Sequence, residues 1–314
     1  AGSKTASVNF SHIISYPQNT YEIETYMQRL LIAVFFITCF TFVLSAQEVV
    51  YQTFKDTRIV NTHSIETLKA GMMDFRVGHR FGDIAGESGG WKTLYGLEYA
   101  ADVAIGFDFG LTDQWMVGIN RAKGAGPLRQ NVNTFTKFRL MQQEEGGNKP
   151  FSITVLAAGT VSTQAKTPTQ GSLSSFDKGA HRLSYHLQVL FAKKFSPYFS
   201  IQGGGAWTYR NIVPFNDVND LVSVSLSSRI NFTKALGVVL DFNYPISELR
   251  TTENGYYPIV GIGLEWETGG GHVFLINLTN AEGINETDYL PYTQTNWLDG
   301  EYRLGFTIAR LFKL

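Results

Sequence analysis

The sequence is poor in cysteine and in charge. Cys39 is the only cysteine among the 314 residues, so no disulfide can form within the chain. Charged residues make up 17% of the sequence, whereas soluble proteins average about 25%. The net charge of −1 argues against the basic surface with which nucleic-acid-binding proteins hold phosphates. We therefore expect no nucleic-acid partner.

Long apolar runs are also missing. The run Leu30–Leu44 is shorter than the roughly 20 residues that a membrane-spanning helix needs. It follows a methionine and an arginine at 27–29 and precedes Ser45-Ala46, which is the three-part pattern of a secretory signal peptide. We predict that residues 27–46 are a cleaved signal peptide. Residues 1–26 fit no pattern, and we interpret them as an upstream mis-start outside the fold.

Catalytic and metal-binding patterns are weak or absent. The six histidines form no His-Glu-x-x-His pattern, the spacing that places two histidines on one helix face to bind zinc, with the glutamate as general base. The candidate serines Ser184 and Ser223 lack a Gly-x-Ser-x-Gly setting. We predict that the chain is not an enzyme and holds no metal or cofactor. A barrel hydrolase that uses His186 is the least favoured hypothesis, since a histidine alone, without nucleophile and orienting group, is not a catalytic site.

The clearest pattern that is present is the alternation of side chains along Leu183–Tyr209. Apolar residues alternate with small or polar ones in two arms, and a β-strand sends successive side chains to opposite faces. Each arm is about as long as the nine to eleven residues with which a tilted strand crosses a bilayer. Aromatic residues lie toward the ends of the arms, where membrane interfaces place them. The segment predicts one hairpin of a transmembrane barrel.

Twelve such strands are predicted from Ala70 to Leu314, and their connections alternate in length. Short connections fall at 112–113, 142–150, 195–197, 233–235 and 268–271, and long ones at 81–101, 122–132, 162–180, 210–220, 245–255 and 280–301. Outer-membrane barrels have short turns at one end, long loops at the other, and an even number of strands. We therefore predict an all-β fold, an antiparallel up-and-down barrel of about twelve strands over 70–314. Its location is the outer membrane, with the lipid bilayer as partner.

If the apolar face of each strand contacts lipid, the other face lines the lumen and carries charges of both signs. The predicted pore-lining residues are Asp74, Arg76, Arg80, Asp102, Asp108, Lys137, Arg139, His186, Gln202, Arg229, Asp241, Glu265 and Arg303. Eight strands enclose a filled interior and sixteen an open channel, so twelve is intermediate. Two interpretations stay open: charges that select a solute, and ion pairs that only satisfy buried charge.

A resemblance to a known family adds to this prediction. The segment Phe75–Gly82, preceded by Thr57–Asn61 and Ile65–Leu68, and the hairpin Gly106–Ile119 resemble a family of outer-membrane barrels of unassigned function from Bacteroidota. The resemblance covers about residues 54–314. It implies a Gram-negative outer membrane and a barrel fold, and it implies no activity and no catalytic residues.

The favoured function is a narrow, porin-like passive channel for small solutes. The alternative is a closed structural or interaction barrel that binds an envelope protein partner. Residues 47–69 precede the first strand, and the sequence allows them either to cap the periplasmic mouth or to enter the lumen. A continuous water path would favour the channel, whereas a lumen filled by residues 47–69 or by paired charges would favour the closed barrel.

Overall fold

A computed structural model describes residues 48–169 and 171–314 of the chain. The predicted signal peptide and the leader at 1–26 lie outside the described residues. Twelve strands form one closed barrel in which each strand pairs with its neighbours in sequence and the last strand pairs with the first. All twelve pairings are antiparallel, so the predicted twelve-stranded up-and-down barrel is confirmed.

The strands are eight to fourteen residues long. They are β1 Met72–Asp83, β2 Ala100–Gly110, β3 Trp115–Ala122, β4 Asn131–Met141, β5 Ser152–Ser162, β6 Leu183–Ser196, β7 Phe199–Arg210, β8 Asp220–Asn231, β9 Leu236–Ile246, β10 Ile259–Glu267, β11 His272–Thr279 and β12 Arg303–Lys313. A helix, α1 (Glu286–Tyr292), lies in the loop before β12. In the described part of the chain, no helix is both long enough and apolar enough to cross a membrane.

The strands separate apolar from polar side chains in the predicted manner. On β6, Leu187 is 49% exposed on the outside of the barrel, whereas its neighbour His186 is fully buried inside. Leu187 pairs with Trp207 of β7, so the outer face is apolar across neighbouring strands. Because a shift of one residue would turn every side chain to the other face, this alternation fixes the register of the barrel.

The two ends of the barrel differ. At one end, here named the turn end, tight connections such as 197–198 join the strands; at the other, the loop end, the connections include 84–99, 163–182 and 280–302. Both Met72 and Lys313 lie at the turn end, where they pair with each other. The chain therefore enters the barrel from the turn end.

Residues 48–69 fold into the lumen, and we name them the plug. Val49 bridges to Glu144 at the turn end, and a hairpin bend closes where the Ile59 N–H donates to the Thr62 carbonyl at 2.8 Å. Phe54, Ile59 and Ile65 are buried against apolar wall residues of β6, β9 and β11. Apolar burial of this kind stabilises by about 25 cal/mol per Å², so the plug is packed in place as well as hydrogen-bonded.

The loop 280–302, named the inner loop, fills the other half of the lumen. Its helix α1 is buried along most of its length. Tyr289 and Leu290 pack against Leu221 of β8 and Ile259 of β10. The lumen is therefore occupied from both ends, by the plug and by the inner loop.

Candidate functional site

All thirteen residues predicted from the strand pattern point into the barrel. The structure divides them by what they contact. Six bind the plug directly: Arg76, Arg80, Lys137, Arg139, Gln202 and Asp241. Arg80, Asp102 and Arg303 bind the inner loop. The remaining five bind other wall residues or stand alone: Asp74, Asp108, His186, Arg229 and Glu265. The lumen charges therefore hold inserted chain rather than face open water.

A cluster of two acids and one arginine links the plug to β1. Arg76 donates to both carboxylate oxygens of Asp56, at 2.8 and 2.5 Å, and to Asp74 at 2.7 Å. All three side chains are at most 10% exposed. A two-pronged guanidinium contact of this kind is geometrically specific, so the cluster fixes the plug at one height in the barrel.

The tip of the plug is held by Asp241 of β9. Its carboxylate accepts from the N–H groups of Asn61 and Thr62 at 2.6 and 2.9 Å and from the Thr62 hydroxyl at 2.9 Å. Ser227 and Asn243 donate to the same carboxylate. A buried carboxylate needs such donors to offset its lost hydration, and the plug supplies three of the five.

Lys137 of β4 ties the two arms of the plug hairpin together. Its ammonium group is fully buried and donates to the carbonyls of Thr57 and Ser64 at 3.0 and 3.1 Å. These carbonyls lie on opposite arms, and the Ser64 N–H also donates to Thr57 O. One wall cation therefore holds the hairpin closed as well as docked.

The plug meets the inner loop at the centre of the barrel. Nε2 of His63 lies 3.5 Å from Oε1 of Glu286 at the start of α1, and both side chains are 1% exposed. Burial lowers the pKa of His63 well below its usual value, and nearby Arg58 lowers it further, so the ring is neutral at pH 7. His186 hydrogen-bonds to the Thr208 hydroxyl at 2.9 Å, and no serine is its hydrogen-bond partner among the described residues.

At the loop end, one acid joins two arginines from different elements. Asp217, in the β7–β8 loop, accepts from Arg250 at 2.9 and 2.7 Å and from Arg210 at 2.8 Å. Arg250 also donates to the Pro291 carbonyl, and Arg210 to the Tyr292 hydroxyl. We name these three side chains the loop latch, because they fasten two outer loops to α1.

The loop latch gives a testable pH dependence. Burial raises the pKa of Asp217, but hydrogen bonds from Arg250 and Arg210 outweigh it and hold the pKa at about 2 against an ordinary 3.8. Because the folded-state pKa is depressed, the stabilisation is complete above pH 3.8 and is lost as the pH falls through about 2. We expect hydrogen exchange in residues 211–219 to quicken roughly tenfold or more across that window.

The control for this experiment is Asp217→Asn, which removes the titrating group. In that variant the loop should exchange quickly at pH 5 and should show no further step at low pH. A wild-type loop whose exchange, corrected for its intrinsic pH dependence, stays flat between pH 5 and pH 1.5 would contradict the assignment.

Three spaces lie inside the barrel at different heights. A cavity of about 550 Å³ opens at the turn end, with Asp56, Asp74 and Arg139 in its lining. A crevice of about 40 Å³ follows between the plug and β1–β3, lined in part by Arg58 and Arg76. A third space of about 20 Å³ lies near the loop end, between β4–β6 and α1. The acid–arginine cluster stands between the first space and the second, since its side chains line both.

The site contains residues that the strand pattern missed. Asp56, Arg58 and Asn61 lie on the plug, and Glu286 and Asp288 on α1. The alternation of inward and outward side chains holds only for strands, so it cannot identify lumen residues that lie on irregular segments. Arg210 of β7, by contrast, is detectable: it shares the inward face of Thr208, and extending the alternation by one step would have found it.

Comparison with known proteins places the chain in a family. The family model "Membrane bound beta barrel domain (DUF5777)" matches residues 54–312. A search of curated proteins finds no match. Among solved structures, the NanC porin has a TM-score of 0.46 at 8% identity, over 77% of this chain and 100% of that one. The KdgM porin has 0.45 at 6%, over 77% and 99%. An outer membrane channel from Pseudomonas putida F1 has 0.44 at 11%, over 79% and 98%.

The family match covers the plug from Phe54, the inner loop and the twelve strands up to residue 312. An apolar outer surface on a closed antiparallel barrel, with short turns at one end and longer loops at the other, is the architecture of outer-membrane proteins. The predicted location in the outer membrane agrees with this architecture. The chain belongs to the family of membrane-bound β-barrel domains whose model it matches over residues 54–312.

Proposed function

We propose that the protein is a narrow, porin-like outer-membrane channel for small polar solutes, closed in this structure by the plug and the inner loop. The observation that carries the proposal is the row of three spaces inside the barrel, from the turn end to the loop end. Side-chain contacts rather than sheet or apolar core interrupt this row at the acid–arginine cluster. Side-chain contacts can break and reform on the timescale of gating motions, so the closed path has an opening mechanism.

The chemistry of the interruptions supports a gate. Besides its apolar contacts, the plug is bound to the wall through groups that water can replace: Arg76 holds its carboxylate, Lys137 its carbonyls and Asp241 its amides. Each such contact exchanges protein for water hydrogen bonds at modest net cost, typically about 1 kcal/mol and more for charged groups. In the open state we propose that the thirteen wall residues named from the sequence line the path.

A closed interaction barrel is the second candidate, and the filled lumen is the observation that favours it. Buried ion pairs such as Arg229–Glu265, at 2.5 Å, satisfy charge without any solute. In this case an envelope protein partner would bind the loops of the barrel. Neither candidate needs a catalytic residue, a metal or a cofactor, and we propose that the protein is not an enzyme.

Location and processing complete the proposal. The likeness of Phe75–Gly82 to barrels from Bacteroidota supports a Gram-negative outer membrane as the site of action. We propose that residues 27–46 direct secretion and are removed, that residues 1–26 are not part of the mature protein, and that the N-terminal segment 47–69 of the mature protein supplies the plug. N-terminal sequencing of protein purified from outer membranes tests the cleavage.

A disulfide between plug and wall tests the gate. A Cβ built on Gly261 of β10 would lie 2.9 Å from Cβ of Val60, near enough to the 3.5–4.5 Å of a disulfide for a small outward shift to bridge them. In a Cys39→Ser background, we expect Val60→Cys with Gly261→Cys to be silent in planar bilayers when oxidised. Discrete conductance steps should return on reduction.

The control is the single variant Val60→Cys, which should conduct equally under oxidising and reducing conditions. If oxidised and reduced double variants conduct alike, the plug is not the gate. If the wild-type protein and both forms of the double variant remain silent, the closed barrel replaces the channel as the better proposal.

A further inference from the structure

The crevice between the plug and β1–β3 contains buried polar atoms for which the protein supplies no partner. Oδ2 of Asp108, Oδ1 of Asn120, Nε of Arg76 and Nδ2 of Asn61 are inaccessible to solvent and make no hydrogen bond within the described residues. All four residues line this crevice and are at most 8% exposed. Native proteins satisfy nearly all buried polar groups, so a polar occupant of the crevice would supply the partners that these atoms lack.

The crevice also holds one cation and one anion that are not paired with each other or with another charge. Arg58 of the plug has no ion-pair or hydrogen-bond partner for its side chain among the described residues; its guanidinium lies over the Phe135 ring at 5.2 Å. Asp108 of β2 likewise has no ion pair at 4 Å or less in the described part of the chain. Elsewhere in the lumen, acids such as Asp56 and Glu265 are paired within 2.5 Å.

The positions of these groups give the crevice two chemically different sides. Arg58 and Asn61 on the plug and Arg76 of β1 provide N–H donors, whereas Asp108 of β2 and Asn120 of β3 provide oxygen acceptors. A carboxylate suits Arg58, because guanidinium pairs with carboxylate through parallel N–H donors. An ammonium group suits the acceptors Asp108 and Asn120, because it carries only donors.

The size of the crevice limits the solute. Its volume of about 40 Å³ has room for about three water molecules, at 10–15 Å³ each. Gly78 and Gly106 form part of the lining, so wall backbone rather than side chain faces the space. Sugars and peptides are too large for it, and the smallest zwitterions fit best.

We propose that this crevice is a binding site for a small zwitterion of the α-amino acid class, with its carboxylate on Arg58 and its ammonium group on Asp108. The proposal rests on the proposed channel function for its biological meaning, since the crevice is the middle of the three spaces along the path. Solutes that carry only one of the two charges leave the other protein charge unpaired, which makes the site selective.

Equilibrium binding of isotope-labelled glycine to the detergent-purified full chain tests the proposal without using transport. We expect saturable binding that glycolate and ethanolamine, each with one of the two charged groups, displace at least about tenfold less well than unlabelled glycine. Asp108→Asn and Arg58→Gln should each weaken glycine binding at least about tenfold. Asp220→Asn, which changes an acid at the barrel rim, should leave it unchanged.

A steric variant keeps the test independent of charge. A Cβ on Gly78 would meet only Ile284 and Thr307, at 3.6 and 3.7 Å, so Gly78→Ala should fold normally while it narrows the crevice. Glycine binding should weaken in this variant, and alanine binding should weaken more. Strand content by circular dichroism and heat-dependent gel mobility show that each variant is folded.

The outcomes separate this inference from the channel. No saturable glycine binding, or binding that Gly78→Ala and both charge variants leave intact, overturns the zwitterion site, and ordered water then fills the crevice. If the barrel binds glycine but shows no conductance in bilayers, the zwitterion site is supported and the channel function is contradicted. If it conducts but does not bind glycine, the channel function is supported and the zwitterion site is contradicted.

Discussion

Replacing Asp241 with asparagine is expected to release the tip of the plug and to open the channel. The carboxylate accepts five hydrogen bonds, three of them from Asn61 and Thr62. An asparagine offers one oxygen, and its NH2 group would face the N–H donors of the plug. Hydrogen bonds to charged groups contribute about 1.5–3 kcal/mol each. A net loss of about 3 kcal/mol would shift the ratio of closed to open plug more than about 100-fold.

Two measurements check this prediction. Open probability in planar bilayers should rise steeply, and hydrogen exchange of the Asn61 and Thr62 amides should quicken by a similar factor. Asp220→Asn is the matched control, because Asp220 accepts from the Trp207 indole N–H at 2.8 Å and lies at the barrel rim, away from the plug. Unchanged protection of the plug-tip amides in Asp241→Asn would contradict the assignment of Asp241 as the tip anchor.

The barrel was predictable because a strand in a closed sheet obeys one rule along its whole length. A residue such as Leu187 or Phe191 contacts lipid and its neighbour does not, so hydrophobicity alone reports the face. The strand ends were less sharp: β1 extends to Asp83 and β6 to Ser196, into the connections predicted at 81–101 and 195–197. The ends of strands are extended by backbone hydrogen bonds, which do not depend on the hydrophobicity of the side chains.

The content of the lumen was predictable only in part. The alternation named Arg76, Lys137 and Asp241 as inward residues, but the same charges suit either an aqueous pore or inserted chain. An aqueous pore and a plugged lumen differ in what these charges bind. Their binding partners here, Asp56, Asn61 and Thr62, lie on an irregular segment in which the sequence shows no periodicity. A segment becomes a plug through long-range contacts, such as the pairing of Asp241 with residues 180 positions earlier, and single-sequence patterns do not encode such contacts.

Arg76→Met is expected to destabilise the plug at a second, independent anchor and to change ion selectivity. Arg76 is the cation between Asp56 and Asp74, and its removal leaves two buried carboxylates facing each other. Removing one partner of a buried ion pair typically costs about 3–5 kcal/mol. The constriction between the first two spaces would also lose one positive charge. The ratio of cation to anion permeability should therefore rise several-fold over wild type, because charged side chains that line a pore set its ion selectivity.

The comparison variant is Arg139→Met, since Arg139 faces Glu66 of the same plug at a longer 3.5 Å beside the turn-end cavity. The Glu66 carboxylate keeps the N–H groups of Thr53 and Phe54 as donors when Arg139 is removed, so this variant should lose less stability than Arg76→Met. The triple variant Asp56→Asn, Asp74→Asn, Arg76→Met removes the uncompensated charge and should recover most of the stability, because the cost lies in the unpaired acids rather than in the missing arginine. Reversal potentials and thermal unfolding in the same detergent measure both effects. Equal losses in Arg76→Met and Arg139→Met, or a triple variant no more stable than Arg76→Met, would show that the cluster does not hold the plug.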